Sequence, residues 1–373
     1  MNGGFAEPKG FFNFFRFLSV VNLFLHPRRL WVLTLLGVLF PLFSVSAQDA
    51  DKGKISVLVV LSPEGAEEYG EKFREAVELW KKATADAGAS FDAIGLEPGR
   101  EDDREQLEAR LRKEVANPEK EDGPFWLVLI GHGTFDGRTA KFNVRGPDFS
   151  DLDLAEWLKG FDRPLAVINT ASASGPFLTT LAGEDRIVIT ATKSAFEIFY
   201  ARFGEFFAKA IGGIEEADVD NDDQVSLLEA FLYSADQVAQ FYEMEGRLAT
   251  EHALIDDTGD GFGTRPDWFE GIRATKVSKE GAQPDGERAH QFVLVPNEFE
   301  RRLSLEQRER RDKLEQQIRD LVRKRAEIGD DAYYAQVEPL LLEIAQIYES
   351  VGLSSDGEKK ETEAKAGAVD KKS

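Results

Sequence analysis

The sequence predicts an α/β fold, a three-layer α/β/α sandwich with a mostly parallel sheet, over residues 52–275. Its 373 residues are enough to bury a sizeable core. Apolar runs without polar alternation, such as KISVLVVL at 54–61, indicate strands that are covered on both faces. Amphipathic helical segments separate these runs, and such alternation is typical of parallel strands joined by crossover helices.

The predicted elements alternate along the chain. The strands are KISVLVVL, a short apolar piece at 91–94, PFWLVLIGHG, RPLAVINT and RIVITAT. The helices between them are AEEYGEKFREAVELWKKATADAG, DDREQLEARLRKEVA and DLDLAEWLKG, and the hairpin TFDGRTAKFNVRG precedes the third. In the first helix Phe73, Val77 and Trp80 recur at helical spacing, so we expect this face to pack on the sheet.

Residues 1–47 have the pattern of a secretory signal peptide. Arg28 and Arg29 precede the apolar run LWVLTLLGVLFPLFSVSA, which ends in small residues at Ala47. We expect cleavage after Ala47 and an exported protein, periplasmic or extracellular, with no stable membrane span. An uncleaved anchor is the alternative, although Pro41 interrupts the run and a bilayer span needs about 20 apolar residues.

The composition excludes several kinds of chemistry and of partner. The chain has no cysteine, which rules out disulfides, thiolate metal sites and cysteine nucleophiles. The leader has four basic residues and one acid, so the exported chain keeps 42 basic and 67 acidic residues, a net charge of −25. Such a chain repels nucleic acid and anionic membranes. Cations and a protein or peptide are the expected ligands.

Two predicted strands end in residue types that suit chemistry. PFWLVLIGHG ends at His132 between two glycines, and LAVINTASASG reaches Ser172 among small residues. Parallel sheets bind ligands at the carboxyl ends of their strands, so neighbouring strands would place both side chains in one crevice. An imidazole beside a hydroxyl suits nucleophilic acyl transfer. The alternative is that His132 is a turn residue and that the small side chains only permit close packing.

These motifs resemble those of the caspase-like cysteine peptidases, the group of caspases, metacaspases and legumain-type enzymes. IGHG matches the family's His-Gly, and ASASG matches its Ala-Cys-x-Ser-Gly. The later segment RIVITATKSAFEIFYARFGEFFAKAI is similar to the family's strand and following Gly-Glu-Phe helix. The resemblance implies a caspase-like fold with a binding crevice at Gly133, Ala171, Ser174 and Gly175.

Ser172 occupies the position of the family's cysteine. A caspase-like site uses a thiol that is partly ionised near neutral pH, whereas a serine hydroxyl needs a well-oriented base. The resemblance, which covers about residues 54–232, therefore implies a non-catalytic peptidase homologue that keeps the crevice for a peptide or protein, or keeps only the fold. The alternative is an active hydrolase with a dyad of Ser172 and His132.

The segment DVDNDDQVSLLE has the spacing of an EF-hand calcium loop. The expected oxygen ligands are Asp218, Asp220, Asp222, the main-chain carbonyl of Gln224, and Glu229 at position 12. Position 6, usually glycine, is Asp223, and aspartate tolerates left-handed backbone better than most residues. The alternative is an acidic loop that complements the dipole of the following helix, SLLEAFLYSADQVAQFYEM.

A second acidic segment, HALIDDTGDGFG, gives a looser match. If Asp256 is position 1 of a second metal site, Asp260 falls at position 5 and Asp267 at position 12. A glycine-rich turn is the alternative, because a glycine stands at the usually apolar position 8. His252 and His290 are isolated in the sequence, and no second ligand at suitable spacing supports zinc.

The composition becomes polar beyond residue 275. Residues 276–300 are predicted to be a linker with a short strand at FVLVP. Ser304 and Gln307 form a capping box that opens a helix, and a second apolar-periodic segment completes an antiparallel helical hairpin over 301–353. We expect the apolar stripe of the hairpin to pack on its partner helix, on the sheet domain or on another protein. Residues 354–373 have no apolar period and are predicted to be disordered.

Overall fold

The computed structural model describes residues 55–97, 99–116, 123–280 and 282–352. They form two units, residues 55–301 and residues 302–352. The predicted signal peptide and the predicted disordered tail lie outside the described residues. Within the described ranges no helix is long and apolar enough to cross a bilayer.

The larger unit is built on a six-stranded sheet. The described strands of this unit, in all of its sheets, are β1 (Ser56–Leu61), β2 (Ser90–Ile94), β3 (Phe125–Ile130), β4 (Gly133–Phe135), β5 (Ala140–Phe142), β6 (Phe149–Ser150), β7 (Leu165–Asn169), β8 (Arg186–Thr190), β9 (Leu254–Asp256), β10 (Phe269–Glu270) and β11 (Arg273–Ala274). The main sheet has the order β2-β1-β3-β7-β8-β9. Its neighbouring strands are parallel except for β8 and β9, which are antiparallel. The predicted α/β class with a mostly parallel sheet is confirmed.

Helices cover both faces of this sheet. They are α1 (Glu67–Asp86), α2 (Asp103–Val115), α3 (Asp151–Trp157), α4 (Gly175–Leu181), α5 (Phe203–Ala210), α6 (Leu227–Met244) and α7 (Glu287–Gln291). Val59 on one face packs in a cluster with Trp80 of α1 and Phe207 of α5. Leu58, on the opposite face, packs in a second cluster with Leu107 of α2. Burial of each large apolar side chain contributes about 1.5–3 kcal/mol, so these clusters fix the positions of the strand ends.

Three elements differ from the sequence expectation. The predicted hairpin is part of a three-stranded antiparallel sheet, because β6 pairs with β5. The short helix α4, with Pro176 in its first turn, separates β7 from β8. Strand β9 lies within the segment predicted to be loop-like, and it closes the edge of the main sheet beside β8.

Residues 276–300 do not form the predicted linker. Ala289 and Leu294 are fully buried in the same hydrophobic cluster as the sheet. The FVLVP segment makes an isolated bridge, Ser226 to Val293, rather than a strand. The segment belongs to the larger unit because its apolar side chains are buried there and its main chain is hydrogen-bonded there. The boundary of the unit falls after residue 301.

The smaller unit contains α8 (Leu305–Ile328) and α9 (Asp330–Ser350). The predicted capping box of Ser304 and Gln307 is present. Side chains pair between the two helices at Gln307 with Ser350 and at Arg310 with Glu343, so the start of α8 lies near the end of α9.

Candidate functional site

The candidate crevice lies where the strand order reverses. The chain passes from β1 outward to β2 and then returns to β3 on the other side of β1, and α/β sheets bind ligands at such a switch point. His132 follows β3, and its main-chain N–H donates to the Ser62 hydroxyl after β1 at 2.9 Å. Strands β3 and β7 are neighbours, so the condition for His132 and Ser172 to share one crevice is met.

The imidazole of His132 is enclosed by aromatic rings and a main-chain carbonyl. The rings of Tyr69 and Phe73 on α1 meet it edge-on, with centroids at 5.2 and 5.1 Å. Its Nε2 lies 3.1 Å from the main-chain oxygen of Glu64. A carbonyl oxygen only accepts, so Nε2 carries the proton in this contact. The other ring nitrogen, Nδ1, then carries the lone pair that can accept a proton.

The hydroxyl of Ser172 is engaged with the main chain of Gly133. Ser172 is 5% exposed, and its Oγ donates to the Gly133 carbonyl at 2.9 Å and accepts from the Gly133 N–H at 3.3 Å. Between these two described residues, His132 and Ser172, no hydrogen bond joins the side chains. The structure brings the predicted dyad to one place but does not pair its members.

The small residues of the turn permit close packing of backbone. A Cβ on Gly133 would lie 2.1 Å from the Ser172 carbonyl oxygen, and one on Gly175 would lie 2.5 Å from the Ser194 nitrogen. Ala171 is 1% exposed. Close packing, the alternative given above, accounts for the small residues at positions 133 and 175.

Two polar groups of the turn, the main-chain N–H of Ala173 and the hydroxyl of Ser174, already have hydrogen-bond partners. The N–H of Ala173, which has φ of 53°, donates to the Glu197 carbonyl at 2.8 Å. The Ser174 hydroxyl lies 3.0 Å from the Thr192 hydroxyl, which ties the end of β7 to the end of β8. The turn is held by its own hydrogen bonds, as a structural turn requires.

A segment after β8 presents apolar side chains to solvent. Phe196, Ile198 and Phe199 are more than half exposed. The ring of Phe196 contacts that of Phe135 on β4 at 5.2 Å, so this segment borders the small sheet that follows His132. No periodic pattern in the sequence predicts that these side chains are exposed.

The loop 218–229 is closed on itself at its start. Asp218 accepts the main-chain N–H groups of Asp222 and Asp223 at 3.1 and 3.0 Å. Asp223 has φ of 64°, the left-handed backbone that position 6 of an EF-hand loop requires. Asp222 accepts the N–H of Gln224 at 3.1 Å, and the main-chain carbonyl of Gln224 is the ligand expected at position 7.

Glu229 reaches back from α6 to both ends of this loop. Its Oε1 accepts the N–H groups of Val219 and Asp220 at 2.8 and 3.3 Å. Its Oε2 accepts the N–H and the hydroxyl of Ser226 in the capping box of α6. Glu229 is 1% exposed, and burial raises the pKa of its carboxyl group.

The acidic groups of this loop lie close enough to hold a metal ion. Carboxylate oxygens of Asp218, Asp220 and Asp222 lie within 4.8 Å of one another, and a second group of three combines Asp220 and Glu229 with His290. Burial, and then the charge of Asp220, raise the pKa of Asp222 to about 7. A bound cation would reverse this shift, because it favours the charged carboxylate.

The two histidines that look isolated in the sequence both have carboxylate partners. His290 Nε2 lies 2.9 Å from Asp220 Oδ2, although 70 residues separate the two in the chain. His252 Nδ1 lies 2.5 Å from Glu197 Oε1. No local spacing in the sequence could have signalled either contact.

The second acidic loop is arranged as a turn. Asp256, 1% exposed, accepts the N–H groups of Gly259 and Gly261 at 2.8 and 2.9 Å. Asp267 pairs with Arg265 at 2.8 Å. Asp256, Asp260 and Asp267 are not among the described groups whose ligand atoms all lie within 4.8 Å. The structure therefore does not bring the three predicted ligands together.

Comparison with known proteins adds no relative to this picture. No protein-family model matches the chain, and no curated protein matches it significantly. The crevice and the loop are therefore interpreted from the geometry of their side chains.

Proposed function

We propose that this protein is an exported, caspase-like peptidase homologue that binds calcium in the loop 218–229 and has no peptidase activity. The observation that carries the proposal is the closed loop, in which Glu229 bonds to the loop's first amides and Asp223 adopts left-handed backbone. The calcium ligands would be the carboxylates of Asp218, Asp220, Asp222 and Glu229 and the main-chain oxygen of Gln224.

The calcium hypothesis accounts for more of the loop than the helix-capping alternative does. A capping box needs only the contacts between Glu229 Oε2 and Ser226. It does not need Oε1 to bond to Val219, or Asp218 to bond to the amides at positions 5 and 6. Those contacts curl the loop around its carboxylates. Hard cations bind sites in which several oxygens converge in this way.

Calcium should raise the thermal midpoint of the protein, and Asp220→Asn should remove most of that rise. A ligand that binds only the native state stabilises it by about 2.7 kcal/mol at a free concentration of about 100 Kd. Asparagine keeps the shape of the side chain but removes one charge from the group. Circular dichroism melts in chelator and in calcium measure both effects.

The matched control for this experiment is Asp223→Asn. It removes the same charge from the same loop, at a position that supplies no ligand, and asparagine also tolerates left-handed backbone. This variant should respond to calcium as the wild type does. An unchanged calcium response in Asp220→Asn would show that the ion does not bind in this loop.

The lack of peptidase activity is supported by the contacts of the crevice. A nucleophilic serine needs a base within hydrogen-bond reach, and within the described part of the chain no hydrogen bond joins the Ser172 hydroxyl to the His132 imidazole. The Ser172 hydroxyl is engaged with Gly133 and almost fully buried.

We propose that the crevice or the C-terminal helices bind a protein or peptide, and the exposed Phe196 and Phe199 would suit such a partner.

A fluorophosphonate probe should label the wild-type protein no more than it labels Ser172→Ala. The reason is that the Ser172 hydroxyl is almost fully buried and donates to the Gly133 carbonyl rather than to the His132 imidazole. Gel fluorescence with an active serine hydrolase as the positive control measures labelling. Labelling that is lost in both Ser172→Ala and His132→Ala would instead establish the alternative, an active hydrolase with this dyad.

A further inference from the structure

We infer that residues 285–297 form a strap whose closure on the loop 218–229 is coupled to calcium binding. The inference rests on the proposed calcium function and adds a conformational consequence to it. The strap lies in the larger unit, between the loop after β9 and the end of that unit.

The first end of the strap is fastened independently of the loop. The Asp257 carboxylate accepts the N–H groups of Gly286 and Ala289 at 2.9 and 2.8 Å. Asp285 in turn accepts the N–H groups of Asp257 and Thr258 at 3.0 and 3.3 Å. Both carboxylates are 3% exposed, so these bonds are shielded from water. This end is anchored whether or not a cation is present.

The other end of the strap bonds directly to the calcium loop. The Asn297 side-chain amide donates to the main-chain oxygen of Asp222 at 2.9 Å, and its N–H donates to Gln224 Oε1 at 3.3 Å. These contacts fix loop positions 5 and 7, which supply two of the expected ligands. The Asn297 Oδ1 accepts the N–H groups of Phe299 and Glu300, so the same side chain also shapes the turn that follows.

The middle of the strap contacts the residues that position Glu229. The carbonyl of Phe292 accepts the N–H of Leu227 at 2.7 Å, and Val293 bridges to Ser226. Ser226 caps α6 and holds Glu229 Oε2. His290 also reaches Asp220. Strap contacts therefore reach both sides of the loop and its position-12 residue.

Coupling follows from these shared contacts. Without a cation, the carboxylates gathered within 4.8 Å repel one another and favour a more open loop, whose backbone groups no longer meet Asn297 and Phe292. A bound cation neutralises the repulsion and holds the backbone in the arrangement to which the strap bonds. Coupling of two events is reciprocal, so a strap that cannot close must also weaken cation binding by the same factor.

Hydrogen exchange and calorimetry on the full chain test both directions of the coupling. Calcium should slow exchange of the amides at 291–297 by about tenfold, within the usual range of coupling factors. Asn297→Ala should weaken calcium binding by a similar factor. Asn143→Ala is the matched control, since its amide bonds to Thr134 and Asp148 in the small antiparallel sheet region.

The outcomes separate this inference from the function on which it rests. Calcium binding that is lost in Asp220→Asn, together with slower strap exchange and weaker binding by Asn297→Ala, supports both. If calcium binds but strap exchange is unchanged, or Asn297→Ala binds as tightly as Asn143→Ala, the strap is overturned and the calcium function stands. Absence of any calcium binding overturns the calcium function and the strap with it.

Discussion

Asp257→Ala should lower the free energy of unfolding of the larger unit by about 3–5 kcal/mol, because a buried donor without a partner costs about 1–3 kcal/mol. The Asp257 carboxylate accepts three main-chain N–H groups, those of Gly286, Arg288 and Ala289, and the residue is 3% exposed. The alanine side chain has no acceptor for these three N–H groups. Because the site is buried, water does not replace the carboxylate as their acceptor. Guanidinium unfolding followed by tryptophan fluorescence measures the loss.

Asp267→Ala is the matched control. It removes the same atoms from an exposed carboxylate that pairs with Arg265, and exposed pairs contribute about 0–1 kcal/mol. We expect its unfolding midpoint to remain close to that of the wild type. If Asp257→Ala costs no more than Asp267→Ala, the hydrogen bonds that Asp257 accepts from residues 286–289 do not stabilise the unit.

The elements that the sequence predicts well are those whose signal is local. β1 and β3 are continuous apolar runs because both faces of the sheet are covered, and α1 shows its buried face through Phe73 and Trp80. The pattern of the acidic loop 218–229 is also local, since its twelve positions follow one another and Asp223 takes the predicted left-handed backbone. For such segments, spacing along the chain determines spacing in the structure.

The features that the sequence does not predict depend on contacts between distant segments. Asp257 and Asp285 look like ordinary turn residues, and only folding shows that Asp285 accepts the N–H of Asp257 and that Asp257 accepts the N–H of Gly286. His290 meets Asp220 for the same reason. At the crevice, the small residues correctly indicate that another group comes close to the turn. They do not indicate that the group close to Gly133 is the backbone of Ser172. Pro176 in the first turn of α4 is a local signal for the start of a helix.

A second buried carboxylate makes stability depend on pH. Glu251 is 3% exposed and accepts the N–H groups of Arg202 and Phe203 at the start of α5. Burial raises the pKa of Glu251 from 4.5 to about 7. Between these two values the native carboxyl group holds a proton that the unfolded chain has released. The native state therefore binds more protons, and the free energy of unfolding falls as the pH rises.

Glu251→Gln should remove about 3 kcal/mol from the fall in unfolding free energy between pH 4.5 and pH 8, since each unit of pKa shift corresponds to about 1.36 kcal/mol. The contribution of Glu251 is fully present below pH 4.5 and is lost as the pH passes about 7, whereas glutamine stays neutral throughout. Guanidinium unfolding at several pH values, in chelator, gives the two curves to subtract. Glu243→Gln removes a charge from the exposed surface of α6 and should leave the slope of the wild type. If Glu251→Gln and the wild type have parallel curves, the buried carboxyl group does not titrate in this range, and its three hydrogen bonds outweigh the cost of burying its charge.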